Sequence, residues 1–165
     1  MAFSSRKTDR LVSFIVYSMF AGVAAWTGIR LINHSLTMGF YKDFFLEWET
    51  AIRCYDEHAG RWPHFTGNNH AQYMEQLVRL MREGDAAPPT SNEQEPFLYR
   101  LNRLGDPAED IFVLCFSGKM VLYGISARTF SYLDRRIDGR VDEQRGRCRA
   151  RKSKDGFSYI GQVLL

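Results

Sequence analysis

LVSFIVYSMFAGVAAWTGI (residues 11–29), followed shortly by LTMGFYKDFFLEWETAIRCYDEHA (residues 36–59), decides the fold of this chain. The first stretch contains no charged residue. At about 1.5 Å of rise per residue, a helix of that length crosses most of a ~30 Å hydrocarbon layer. In the second stretch Phe40, Phe44, Trp48, Ile52 and Tyr55 recur at helical spacing, with Lys42, Asp43, Glu47, Glu49, Arg53 and Glu57 largely between them. No proline interrupts either stretch, and Gly22, Gly28 and Gly39 are of a kind common in membrane spans. The pattern predicts one long helix of two characters: a transmembrane half over residues 11–32 and an amphipathic half over residues 35–59.

Working outward, Arg6, Lys7 and Arg10 make residues 1–10 a basic terminus, which places the N-terminus on the cytoplasmic side and exports residues 33–165. Arg30, His34 and Lys42 follow the span and reduce that asymmetry. A buried core helix is seldom uncharged for so long, and a cleaved signal has a shorter apolar region than this one, although Ala21, Ala24 and Ala25 resemble a cleavage site. The 165 residues hold one modest domain beside the anchor. A net charge of +3 is too small for a nucleic-acid surface. Cys54, Cys115 and Cys148 match no metal-binding spacing, and an odd count leaves at least one thiol outside any intramolecular bridge. Three buried free thiols are the simplest expectation.

Beyond the long helix, Gly60 suits a helix-closing left-handed position and Pro63 prevents continuation. Asn68 or Asn69 can cap a second helix over residues 69–83, with Tyr73, Leu77 and Leu80 or Met81 on its apolar face and Gly84 at its end. Residues 84–96 are polar and proline-bearing, a loop or an extended lid, and FLYRLNRLG (residues 97–105) fits a short helix or a strand. An antiparallel sheet is expected within residues 111–165. IFVLCF and KMVLYGI form a hairpin about Ser117-Gly118, a short helix follows over residues 127–137, and a basic strand and FSYIGQVLL complete the sheet. The expected class is α+β, a long N-terminal helix packed on a small antiparallel sheet.

Few residues carry chemistry. His58, His64 and His70 lack the helical ligand spacing of a zinc site, Ser117 lacks the glycine pattern of a nucleophile elbow, and no phosphate-binding loop is present. No catalytic residue, cofactor or small-molecule substrate is expected. Asp134, Asp138, Asp142 and Glu143 surround Gly139 in a turn that could gather carboxylates around Ca²⁺. Arg135, Arg136, Arg140 and Arg145 are interleaved, however, and pairing or capping accounts for the acids as well.

Two patterns resemble type IV pilins and type II secretion pseudopilins. AIRCYDEHAGRWP, with Tyr55, Gly60, Trp62 and Pro63, resembles the point where those proteins leave their N-terminal helix. SARTFSYLDRRIDGRVDEQRGRCRA, with Asp134, Asp138, Gly139 and Gly146, resembles a short helix, acidic-glycine turn and basic strand common in pilin-like proteins. The likeness is to an atypical member, because Arg10 precedes the apolar run and no acidic residue occurs between Leu11 and Lys42, where the family has its cleavage-site glycine and fifth-position glutamate. It implies a non-enzymatic subunit of the bacterial inner membrane, with a periplasmic or extracellular head. Such a subunit assembles with like subunits through its N-terminal helix, in a pilus or a secretion complex. The stripe from Phe40 to Tyr55 is the expected packing and assembly surface. The alternative from another class is a single-pass exported sensor that binds a ligand through residues 85–96 and the sheet face.

Overall fold

The computed structural model describes residues 3–58, 61–84, 86–154 and 156–165. Helix α1 (Phe3–Gly39), a π-helical stretch (Phe40–Phe45) and α2 (Leu46–His58) follow one another without interruption. From Thr8 to His58 this stem is 51 residues long, or about 77 Å at α-helical rise. Its apolar window is 0 % buried and is long and apolar enough to cross a membrane. Ala59 and Gly60, the expected helix closure, lie outside the described residues.

The π stretch is the feature that the periodicity alone does not announce. Leu46 donates its backbone N–H to the Tyr41 carbonyl, five residues back. That wider turn brings Phe44 and Phe45 inward together, at 0 % and 1 % exposure. The widened face touches two elements at once: Phe44 packs on Tyr99 (4.8 Å between centroids), while Tyr41 stacks on Phe45 (5.7 Å) and meets Tyr132 edge-on (6.1 Å).

Helix α3 (His70–Glu83) follows, then β1 (Leu98–Leu101), β2 (Glu109–Phe116), β3 (Lys119–Ile125), α4 (Ala127–Asp138), β4 (Cys148–Lys152) and β5 (Tyr159–Leu164). The strands form one antiparallel sheet in the order β1-β2-β3-β5-β4. The sheet therefore begins at Leu98 rather than at residue 111, because FLYRLNRLG supplies a strand instead of a helix. Alternation places Tyr99, Ile111, Val113, Cys115, Met120 and Leu122 on one face of the sheet. Tyr99 carries the stem rings on this face, and Phe130 of α4 stacks on Tyr159 nearer the other edge. Helix α3 adjoins β2 where β1 has ended; Met74 Sδ there accepts the Cys115 N–H at 3.4 Å. Its apolar face is Tyr73, Met74, Leu77, Val78 and Met81.

Two local expectations need correction, and the expected loop or lid takes a specific form. Asn69 stands at the N-cap of α3 without making the capping bond; its amide instead accepts from Thr66 N and donates to the His64 carbonyl, closing the preceding turn. The segment expected as a loop or lid is a strap on the sheet edge. Asn92 pairs with both backbone groups of Arg100 (2.7 and 2.9 Å), and Pro89 and Ala86 are buried. Of the three free thiols only Cys115 and Cys148 are buried, since Cys54 lies on the outward side of α2.

Candidate functional site: the seat of the stem and the acidic turn

Where the stem leaves its exposed run it enters a buried polar seat. Asn33, 3 % exposed, accepts from Leu104 N (2.8 Å) and donates to Leu104 O (2.9 Å), gripping one peptide residue of the β1–β2 connection from both sides. One turn on, Thr37 is 5 % exposed and receives a 3.5 Å bond from Arg103 Nη1. Arg103 is itself 5 % exposed. Its guanidinium is paired with the Glu109 carboxylate and donates to Thr129 Oγ1 (2.9 Å) and Ser126 Oγ (3.0 Å), with Asp106 at 3.3 Å. Glu109 completes the circuit by accepting from Ser126 N (2.8 Å) and Thr129 Oγ1 (3.0 Å), while Ser126 Oγ caps α4 at Thr129 N. Stem, sheet and α4 thus share one set of charges and hydroxyls. A buried charge left without its partner is strongly destabilising, which makes this junction stiff and register-specific.

The exposed run below the seat has a different character. Phe14, Tyr17 and Phe20 are 70–75 % exposed and Trp26 is 56 % exposed. Thr27 returns its hydroxyl to the Val23 carbonyl (2.8 Å), so that this polar group is satisfied within the helix. Arg30 lies over the Trp26 ring at 4.0 Å, an aromatic-cation pair of the kind that marks a membrane-water boundary.

The expected packing stripe is wholly inside the head. Phe40, Phe44 and Trp48 are 0 % exposed, and Ile52 and Tyr55 are 1 %. Trp48 Nε1 donates to the Pro96 carbonyl at 3.1 Å. No part of the stripe is left uncovered for a neighbouring subunit, and the large apolar surface of the stem that remains open is residues 11–32. Past α2 the chain folds back: Tyr55 Oη donates to the Arg61 carbonyl, Trp62 packs edge-on against Tyr55 (5.4 Å), and Trp62 Nε1 donates to Asp56 (3.0 Å). Pro63 follows in this turn, half-buried.

The acidic turn serves the chain's own backbone. Asp134, 0 % exposed, accepts Asp142 N through Oδ2 at 2.6 Å. Asp138 accepts Arg147 N (3.1 Å) through one oxygen and Cys148 N (2.8 Å) through the other. Gly139 ends α4 in the left-handed region, and a Cβ at Gly146 would lie 2.3 Å from Asp138 Oδ2. Among the described residues no group of three or more His, Cys, Asp or Glu side chains is placed to hold a metal ion. Burial pushes the Asp134 carboxyl up, reinforced by Asp138 and Asp142 against the opposing Asp142 N–H. Burial also pushes on Asp138, but its two backbone N–H bonds prevail and hold it below the ordinary carboxylate range. Of the histidines, His70 sits among Phe65, Phe112 and Tyr123, and His58 bonds back to the Cys54 carbonyl. Ser117 Oγ donates to Asp56 (2.9 Å), tying the β2–β3 turn to α2.

The seat escaped sequence reasoning because Asn33, Arg103, Glu109 and Thr129 are ordinary polar residues scattered along the chain. The visible signal was Ser126 at the start of an apolar-faced helix, a residue type favoured at the N-cap. Comparison with protein-family models, with characterised proteins and with solved structures finds no match for this chain.

Proposed function

We propose that this chain is a membrane-anchored structural subunit, pilin-like or pseudopilin-like in build, that assembles through its stem. The observation that carries the reading is a single helix whose lower half is 0 % buried and whose upper half is the core of the head. An apolar rod of that size needs a non-aqueous cover, and lipid together with the stems of like subunits supplies one. The stripe from Phe40 to Tyr55 is buried in the head, which supports assembly through residues 11–32 instead. On this reading the N-terminus is cytoplasmic, the head is periplasmic or extracellular, the membrane is the bacterial inner membrane, and the partners are lipid and related subunits. The competing sensor reading would have to use a strap already bonded to β1, together with the sheet face.

Cross-linking in membranes tests the proposal. With Cys54→Ser as background, a cysteine at Phe20 is expected to capture homodimers or a related subunit. Monomers throughout, combined with saturable binding of a soluble ligand to the head, would replace the structural reading by the sensor one.

A further inference from the structure

We infer that the lower end of the head rests on the surface of an anionic phospholipid bilayer, an inference that depends on the stem being the anchor proposed above. The strand register gathers three connections at one end of the sheet. Leu101 pairs with Glu109, Ile125 with Tyr159 and Tyr159 with Lys152, so residues 102–108, the start of α4 and the β4–β5 turn lie together. The same end is fixed to the stem by the Asn33–Leu104 bonds. Asn33 is four residues beyond Ile29, or about 6 Å along the axis. This end therefore faces the level at which the apolar run stops and Arg30 covers Trp26.

The chemistry of the rim suits that position. Phe157, in the β4–β5 turn, is 92 % exposed, and Leu104 is 49 % exposed. Lys152 and Lys154 stand exposed beside them, while Arg128, also exposed, is already paired with Asp106 (2.8 Å). A large ring held toward an interface among basic side chains matches the headgroup-acyl boundary: the apolar tips enter and the cations meet phosphate. The opposite end of the sheet is the Ser117-Gly118 turn, which is tied to α2 through Asp56.

The test uses the full chain in vesicles of phosphatidylcholine with and without phosphatidylglycerol. Nitroxide labels are placed singly at Val16→Cys, Leu104→Cys and Phe157→Cys in the Cys54→Ser background, and at native Cys54 as the water-exposed control. Collision with oxygen and with a water-soluble nickel chelate reads immersion. The expected result is immersion at Val16, partial immersion at both rim sites only when phosphatidylglycerol is present, and a wet label at Cys54. Lys154→Gln is expected to lower the ratio of immersed to wet rim label about fivefold. Rim labels as wet as Cys54 while Val16 is immersed would overturn the inference and leave the anchor standing. Equal rim immersion without phosphatidylglycerol would overturn its electrostatic part, and a wet Val16 would overturn the anchor and the inference together.

Discussion

Replacing Arg103 by alanine removes the cation from a pocket in which Glu109 is only 7 % exposed. The carboxylate then keeps the Ser126 N–H and the Thr129 hydroxyl but loses its countercharge, and Thr37, Ser126 and Thr129 each lose a donor. Breaking a buried pair from one side destabilises by about 3–5 kcal/mol. For a head of this size that lowers the melting temperature by roughly 10 °C or more. The double variant Arg103→Met with Glu109→Gln removes both charges together. The introduced amide oxygen still accepts from Ser126 N, so that what remains is the Thr129 hydroxyl without its acceptor, a penalty of about 1–3 kcal/mol. The double variant is therefore expected to be more stable than Arg103→Ala alone by around 2 kcal/mol. Thermal melts of the full chain in detergent, followed by tryptophan fluorescence, measure the difference, since Trp48 and Trp62 lie within the head. A double variant no more stable than the single one would refute the claim that an uncompensated buried charge dominates this junction.

Other outcomes follow from the same structure. Asn33→Ala strips both bonds from Leu104 and is expected to raise hydrogen exchange at the Leu104 amide; unchanged protection would deny the seat its role. Asp134→Asn keeps an acceptor for Asp142 N while removing a carboxyl whose raised pKa makes its contribution full below the ordinary aspartate value of about 4 and lost as pH rises through its folded value. The variant should therefore gain on the native chain in denaturation titrations as pH climbs from about 4 toward neutrality. Asp138 has the opposite sign: its stabilisation is present above about pH 4 and is lost as pH falls through its depressed value, so the protection factors of the Arg147 and Cys148 amides should fall on acidification. Gly124→Ala forces a Cβ to within 2.3 Å of the Asp110 carbonyl at φ +78°, at the register shift between β3 and β5, and should lower the melting temperature more than Gly118→Ala, where nothing is in the way. Maleimide should modify Cys54 in the folded chain and spare Cys148, where burial pushes the thiol up to about 12, until denaturant opens the head.

The parts of this molecule that were legible in its sequence are those where a local pattern has one structural solution. A run without charge from Leu11 to Ile29 predicts a helix long and apolar enough to cross a membrane, and the two β-rich runs about Ser117-Gly118 predict a pair. Strand β1 was ambiguous because four residues carry too little periodicity, and its identity comes from β2 beside it and Asn92 outside it. The stripe at Phe40, Phe44 and Trp48 was readable, but spacing could not tell how much of it the head would cover. The π stretch left no mark in the sequence, since buried neighbours such as Tyr73 and Met74 also occur in α3; it is seen only in the bond from Leu46 N back to the Tyr41 carbonyl. The seat was the least legible, since Asn33 meets Leu104 across 71 positions and Arg103 meets Thr37 across 66.

The strap along β1 has a consequence for how copies of this chain can associate. Asn92 and Ser91 occupy backbone groups that an incoming strand would require, and at the other border the Ala150 N–H is already given to Glu143 beside a row of arginines. With both flanks of the ribbon blunted, growth by strand addition is disfavoured. On the assembly proposed above, contacts between copies would then fall between rods, where sliding and rotation can be accommodated without unravelling any head.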